Sequence, residues 1–402
     1  MKKRILIVTQ YFYPENFKSN DLAFELAARG YHVEVLTGLP NYPQGKIFEG
    51  YSFFSSRKQI VNGVTVHRAF LIPRGKGGGC RLMLNYVSWA FFASFRALFL
   101  SVFNTYDCLI VHEPSPITQG IPAIIVKKLK KIPLYFWIMD LWPESLISAG
   151  GVRNKTVISM VNTLVKWIYK HSDTLLISSQ GFRDSIVSKG NFAHKIVYFP
   201  NWGEDVFVSE TETMNPSLPQ GFKIMFAGNI GEAQDFHAIL QAALLLKGHD
   251  VRWIIVGDGR KKQWVEDFIQ THQLQENVFL MGKYPIEAMP SFFQKADVML
   301  VSLKDELVFN LTVPAKIQAY MAASKPIIAM LNGEGQEIIK QAQCGYTVNA
   351  GDYQALAKLV EEISKIPKES LQLVGRNGFE YYKANFTKQH CIDNLCKLMD
   401  GK

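Results

Sequence analysis

Several groups of residues in this chain have types and spacings that could do chemistry. The first is Lys316, within Thr312–Pro326 (TVPAKIQAYMAASKP). Pro314 suits the first turn of a helix, where its missing N–H costs nothing. Ile317, Tyr320 and Met321 then share one helical face. Lys316 falls in that first turn, where a cation opposes the helix macrodipole. An anion held between the helix amino end and the ammonium would account for it; a solvated surface lysine is the plain alternative. The second group is glycine-rich. Gly228-Asn229-Ile230-Gly231 separates a strand from a helix, so its backbone could approach an anion closely or could simply turn the chain. Gly257-Asp258-Gly259, with Arg260 behind it, and Gly333-Glu334-Gly335, with Glu337, repeat the pattern. Glu337 could accept hydrogen bonds from sugar hydroxyls or only charge a helix start favourably. A third group is Asp140 and Glu144, flanking Trp142-Pro143 after a strand. A carboxylate there could orient a hydroxyl nucleophile or act as a base, or could cap the next turn. His112 and Glu113 end the preceding strand, and Asn16, Asn41 and Tyr42 crowd the same rim.

The elements that must position these residues are legible as an alternation. An apolar run Lys3–Gln10, a helical pattern Ser19–Arg29 stopped by Gly30, and a run Val33–Thr37 open the chain as a βαβ unit. Ile60–Phe70 reads as a strand pair turning at Asn62-Gly63. Strands at 107–112, 133–138, 174–178 and 195–199 alternate with helices, among them 155–171. After a linker containing Pro200 and Asn215–Gly221 the pattern restarts, with strands at 223–227, 251–256, 277–281, 296–301 and 326–330. The tail, Tyr353–Lys397, reads as helices. This implies an α/β chain of two Rossmann-like, doubly wound parallel-sheet domains facing a central cleft, with ligands beyond the carboxyl ends of the strands. The expected division is 1–203, 204–385, and a terminal helix in 386–402 packing back on the first domain.

Charge separates the halves. Residues 1–200 carry 24 Lys+Arg and 11 Asp+Glu, a net +13; the remainder carries 20 and 24, a net −4. A basic first half fits a phosphorylated substrate or an anionic membrane. No Arg-rich helix, zinc finger or RNP-like motif points to nucleic acid. Five scattered cysteines without a CxxC pair argue against a zinc site and suit a reducing compartment. The basic amino terminus lacks a long apolar region and reads as a first strand rather than a signal peptide. Leu82–Phe103 is the most apolar segment, about the ~20 residues a bilayer span needs. Arg96, Asn85 and Ser88 interrupt it, which leaves a buried domain helix or a helix lying in the membrane interface as the alternatives to a span.

Taken with YFYPEN, PNYPxGK (Pro40–Lys46), DLWPES (Asp140–Ser145), FPNW (Phe199–Trp202), FAGNIGEAQ (Phe226–Gln234), VGDG (Val256–Gly259) and VPAK (Val313–Lys316), the chain resembles family-4 glycosyltransferases of the GT-B fold. Within them it resembles the branch that transfers N-acetyl-L-fucosamine and related deoxy sugars in bacterial O-antigen, capsule and exopolysaccharide assembly. The resemblance implies a retaining transfer from a nucleotide sugar bound by the second domain. Its contacts would include Gly228, Asn229, Gly231, Gln234, Gly257, Arg260, Pro314, Lys316 and Glu337. The acceptor, a polyprenyl-diphosphate-linked glycan, would lie on the first domain near Asn16, Asn41, Tyr42, His112 and Glu113. Asp140, Glu144 and Lys316 would carry catalysis, without metal or other cofactor, on the cytoplasmic face of the plasma membrane. The pattern also departs from the family. Asn229 and Gln234 stand where many members have Arg and Lys, Leu311 and Ala319 where many have two glutamates, and Ile138-Met139 where an active-site histidine is frequent. Lys316 and Arg260 are then the cations left for the diphosphate. A UDP-sugar 2-epimerase of GT-B fold and a non-catalytic membrane scaffold are the alternative readings.

Overall fold

A computed structural model of the chain describes residues 2–52, 54, 57–148, 151–208 and 214–401. They form two compact units, one of residues 1–199 with 392–402, the other of 200–391. The divisions thus fall at 199/200 and 391/392 rather than at 203/204 and 385/386.

The first unit is an eight-stranded sheet. Its strands are β1 (Arg4–Val8), β2 (His32–Gly38), β3 (Lys58–Val61), β4 (Val64–Ala69), β5 (Cys108–Glu113), β6 (Leu134–Ile138), β7 (Thr174–Ile177) and β8 (Ile196–Tyr198). Their spatial order is β3-β4-β2-β1-β5-β6-β7-β8. All pairs are parallel except β3 with β4, the hairpin that turns at Asn62-Gly63. The central strands RILIV, CLIVHE and LYFWI are almost wholly buried, as parallel strands covered on both faces must be. The crossovers are α1 (Lys18–Ala28), α2 (Gly79–Phe103), α3 (Gly120–Lys130), the short α4 (Glu144–Ser148), α5 (Lys155–His171) and α6 (Phe182–Ser188). Asn154 caps α5, its side-chain oxygen accepting from the N–H groups of Thr156 and Val157. The helix α2 turns Asn85, Trp89, Ala93, Ala97 and Leu100 inward and leaves its other face, also apolar, uncovered. It is therefore neither a wholly buried helix nor an ordinary amphipathic one.

The second unit has β9 (Phe222–Ala227), β10 (Val251–Val256), β11 (Val278–Gly282), β12 (Val298–Ser302), β13 (Ile327–Met330) and β14 (Gly345–Val348), in the order β11-β10-β9-β12-β13-β14, all parallel. This order places a switch point between β9 and β12, where ligands enter such sheets beyond the carboxyl strand ends. Its helices are α7 (Phe236–Leu245), α8 (Lys262–Thr271), α9 (Met289–Lys295), α10 (Leu307–Leu311), α11 (Ala315–Ala322), α12 (Glu334–Ala342), α13 (Tyr353–Ile363) and α14 (Lys368–Asn385). A last helix, α15 (Lys388–Met399), crosses the division at 391/392. Its end is tied to the first unit by Asp393 on Arg29 and by Asp400, 3.4 Å from Lys3. The sequence pattern gives no sign of β14, α4, α6 or α10. Each is short, and GYTV and LVFNL are too brief to show a period.

Candidate active site

In the second unit, Tyr320 sets the geometry. Its hydroxyl accepts from the Ala227 N–H at 3.2 Å, pinning α11 to the end of β9. Lys316 lies one helical turn earlier, so its ammonium comes over the Phe226 ring, 4.6 Å from the centroid. Pro314 is the cap residue and Lys316 the second residue of the helix, not a member of a first turn opened by proline. A Cβ on Gly228 would stand 2.6 Å from the Lys316 Nζ, and Gly228 has φ +139°. Glycine is needed there so that the ammonium can lie against the backbone. Among the described residues Lys316 makes no hydrogen bond or ion pair with a carboxylate. Burial pulls its ammonium down to about 8. A cation kept in the interior without a counter-ion is costly, and an anion arriving at the Gly228 turn would relieve it.

The glycine-rich turns pack on one another. The Gly228 N–H donates to Val256 O at 2.8 Å and the Ile230 N–H to Asp258 O at 2.8 Å. A Cβ on Gly257, at φ +152°, would meet Gly228 O at 1.8 Å. Gly257 therefore serves the contact between two turns before it serves any ligand. Gly228, Asn229, Val256, Gly257, Asp258 and Gly259 line a hollow of about 460 Å³, closed by Lys283, Tyr284 and Met289. Those last three were not singled out from the sequence. The signal available was that Gly282-Lys283-Tyr284 follows β11 directly, at the same carboxyl edge.

Other expected donor contacts lie elsewhere. Arg260 is exposed and does not line the hollow. Glu337 is exposed on the first turn of α12, with its carboxylate 2.9 Å from Lys340, so the structure uses it as a surface ion pair. Asn229 donates toward Gln234 Oε1 at 3.5 Å, and Gly231 is buried beneath that pair. Two cations do attend the same turn. Lys261, 2.6 Å from Glu232, and Lys304, also on Glu232, tie its carboxylate down. Lys316 and Arg260 are thus not the only cations near the expected diphosphate position.

In the first unit the switch point lies between β1 and β5, and Asp140 follows β6 at the same edge. Asp140 is partly buried and accepts from the Ser145 hydroxyl. Burial raises it to about 6 despite hydrogen bonds from Ser145, the Leu141 backbone and Ser115. This is a suitable range for a base that works near neutrality. Glu144 does not share that environment. Its carboxylate takes hydrogen bonds from Lys189 at 2.5 Å and Ser185 at 2.6 Å. Burial pushes Glu144 up, but those bonds outweigh it and hold the carboxyl below its usual range. It is a structural anchor of α4 to α6, not a partner of Asp140.

The expected acceptor rim is corrected in three places. His112 and Glu113 are 1% and 0% exposed. They end a central strand flanked by β1 and β6, so their side chains enter the interior. Neither ring nitrogen of His112 and neither carboxylate oxygen of Glu113 has a hydrogen-bond partner. Burial drives His112 down to about 3 and Glu113 well up, so both are neutral. Asn41 is likewise wholly buried. It donates to Leu39 O at 3.1 Å and accepts from the Arg74 N–H at 3.2 Å, which fastens the loop after β2. Asn16 and Tyr42 do remain at the surface, with Tyr42 under the Arg74 guanidinium at 4.9 Å. Glu15 was missed: it is buried, accepts from the N–H groups of Asn41 and Tyr42 at 2.7 Å each, and is raised by burial to about 7.

Residues 19–202 match the glycosyl transferase 4-like domain, and residues 221–365 match glycosyl transferases group 1. The probable glycosyltransferase WbjE of Pseudomonas aeruginosa is 28% identical over 256 residues, 60% of this chain and 63% of that one. The chain therefore spans just under two thirds of that relative's length. The putative colanic acid biosynthesis glycosyl transferase WcaI of Escherichia coli is 24% identical over 315 residues, 74% of each chain. Among solved structures, HepE of Anabaena in complex with UDP superposes with a TM-score of 0.72 at 13% identity, over 99% of this chain and 100% of that one. Sucrose-phosphate synthase of Thermosynechococcus elongatus gives 0.70 at 16%, over 100% and 99%. Such low identities speak for the fold alone. Its two halves match the two domains in order and its sheets match the neighbours over their full length, so the chain is a GT-B glycosyltransferase of the group 1, family-4-like families.

Proposed function

We propose that this glycosyltransferase moves a deoxyamino sugar, N-acetyl-L-fucosamine, from its UDP carrier to a polyprenyl-diphosphate-linked glycan on the inner face of the plasma membrane, with retention and without a metal. The observation that carries the reading is the buried, unpaired Lys316 ammonium against Gly228. It is a preformed positive site at the switch point of the second sheet, where a leaving diphosphate gains charge. The bond from the anomeric carbon to the diphosphate breaks, and a bond from that carbon to an acceptor hydroxyl forms on the same face. The acceptor proton passes to a diphosphate oxygen. Lys316 and the turn amides stabilise that diphosphate, and Asp140 orients the acceptor hydroxyl. The names of WbjE and WcaI, the second a colanic acid enzyme, support a role in surface polysaccharide assembly.

The test is a mass-spectrometric transfer screen with UDP- and GDP-deoxysugars against lipid-linked acceptors, with and without EDTA. A product from UDP-N-acetyl-L-fucosamine that survives EDTA is expected, falling roughly 100-fold in Lys316→Ala. Product only from another donor overturns the sugar assignment, and loss with EDTA overturns the metal-free one. A C2 epimer formed without acceptor would make the protein an epimerase.

A further inference from the structure

The uncovered face of α2 has no role in the transfer chemistry, yet it is the largest apolar surface on the first unit's helices. Met83, Val87, Phe91, Phe95, Phe99 and Val102 are all exposed, and the helix has a mean hydropathy of 1.5 with only 33% of that window buried. An apolar stripe of this kind on a folded unit marks an interaction surface. Its charge surroundings say what covers it. From residue 50 to residue 106 there is no Asp or Glu, while Arg57, Lys58, Arg68, Arg74, Lys76, Arg81 and Arg96 all fall there. A protein partner of mixed surface charge does not require such a one-signed stretch; an anionic lipid surface does.

One flank of the stripe is built more closely. Arg96 sits beside Phe99, its guanidinium 5.3 Å from the ring centroid, and donates from Nη2 to His67 Nδ1 at 3.3 Å. A guanidinium only donates, so Nδ1 accepts and His67 carries its proton on Nε2. That proton goes to Glu34 Oε2 at 2.8 Å, which also accepts from Tyr106 at 2.7 Å. Arg96 is thus fixed by a neutral ring and stands off from the carboxylate behind it. Its Nε–H is buried with no acceptor. The charged group acting most strongly on it is Arg57, a like charge. Arg57 lies by the exposed Phe54, 6.0 Å from that ring. Two guanidinium groups held together beside aromatic side chains form a site for a phosphate at an interface.

We propose that the uncovered face of α2 docks on an anionic phospholipid bilayer, with a lipid headgroup phosphate held between Arg57 and Arg96. This rests on the membrane-face reading above but specifies the lipid and the residues. The full chain is to be sedimented with vesicles of phosphatidylcholine alone and with phosphatidylglycerol mixed in, while UDP binding is followed by thermal stabilisation in parallel. Binding to the anionic vesicles by at least tenfold over the neutral ones is expected, weakening as salt rises. Arg57→Gln with Arg96→Gln should cost about fivefold for each arginine and leave stabilisation by UDP unchanged. Phe91→Ser with Phe95→Ser should weaken binding to both vesicle types. Equal binding to neutral and anionic vesicles, or full binding by the double glutamine variant, overturns the proposal. So does anionic binding that appears only when polyprenyl diphosphate is included, which would assign the phosphate to the acceptor. Absence of UDP stabilisation with vesicle binding intact would instead sink the transferase reading and leave the docking surface standing.

Discussion

At the scale of single residues, the ammonium of Lys316 is the most exacting feature. Burial brings it to about 8, so in the free protein the cation is lost as pH rises through that value. The bound diphosphate favours the cation and draws a proton in. UDP affinity is therefore expected to fall as pH rises through about 8, with proton uptake on binding, measured by calorimetry in buffers of different ionisation enthalpy. Lys316→Ala should bind UDP weakly with no such pH dependence; an unchanged pH profile in that variant would remove Lys316 from the diphosphate. Asp140 works in the opposite sense. Raised to about 6, it loses its carboxylate as pH falls through that value, so kcat/KM should decline on the acid side there. Asp140→Asn should lower turnover, abolish that limb and spare UDP binding. Lys316 was legible because a cation in a helix's first turn is an oddity of local sequence. Asp140 was legible because it directly follows a strand. The burial of His112, Glu113 and Asn41 was not, since polarity in the sequence says nothing of whether a strand end turns inward. Glu144 could not be separated from Asp140, because Lys189 and Ser185 come from a helix that leaves no periodic trace.

At the scale of elements, the strands and long helices followed from apolar runs and stops, and the hairpin from Asn62-Gly63. The glycine turns were recognised, but their purpose was divided differently. Sequence pattern treats Gly228 and Gly257 alike; the packing does not. At Gly257 an added Cβ would run into the backbone oxygen of Gly228, which cannot move without breaking the two turns apart. At Gly228 it would meet the far end of the Lys316 side chain, which can swing away. Gly257→Ala should therefore lower the melting temperature, with a cost of order 1–3 kcal/mol from the backbone conformation alone. Gly228→Ala should bear a similar backbone cost but additionally displace the ammonium, so its loss of UDP affinity should approach that of Lys316→Ala. Matched thermal melts with and without UDP read both quantities. Equal UDP affinity in the Gly228→Ala and wild-type proteins would show that the ammonium does not need its seat on that turn.

At the scale of the whole molecule, each unit carries its own sheet and its own switch point, and the candidate ligands divide between them. The nucleotide hollow and Lys316 belong to residues 200–391, whereas Asp140 and the uncovered face of α2 belong to residues 1–199. Hydrogen exchange separates the two directly. Amides that open locally exchange at rates set by local stability, and a ligand slows those in the segments it holds. UDP at 100 times its Kd adds about 2.7 kcal/mol to the state that binds it, or about a hundredfold slowing where exchange requires that state to open. That slowing is expected at 226–231, 256–259 and 282–289, where turn amides and the walls of the hollow lie. Anionic vesicles should instead protect 79–103 and 57–69, and leave the nucleotide turns unchanged. The helix α2 supplies the stronger discrimination, because its inward face already protects its amides in the free protein. Docking should add most where the chain frays, at 79–84 and 100–103, and little in the middle. UDP protection absent from 226–231 yet present at 140–145 would move the nucleotide to the first unit, and with it the roles given to Lys316 and Asp140.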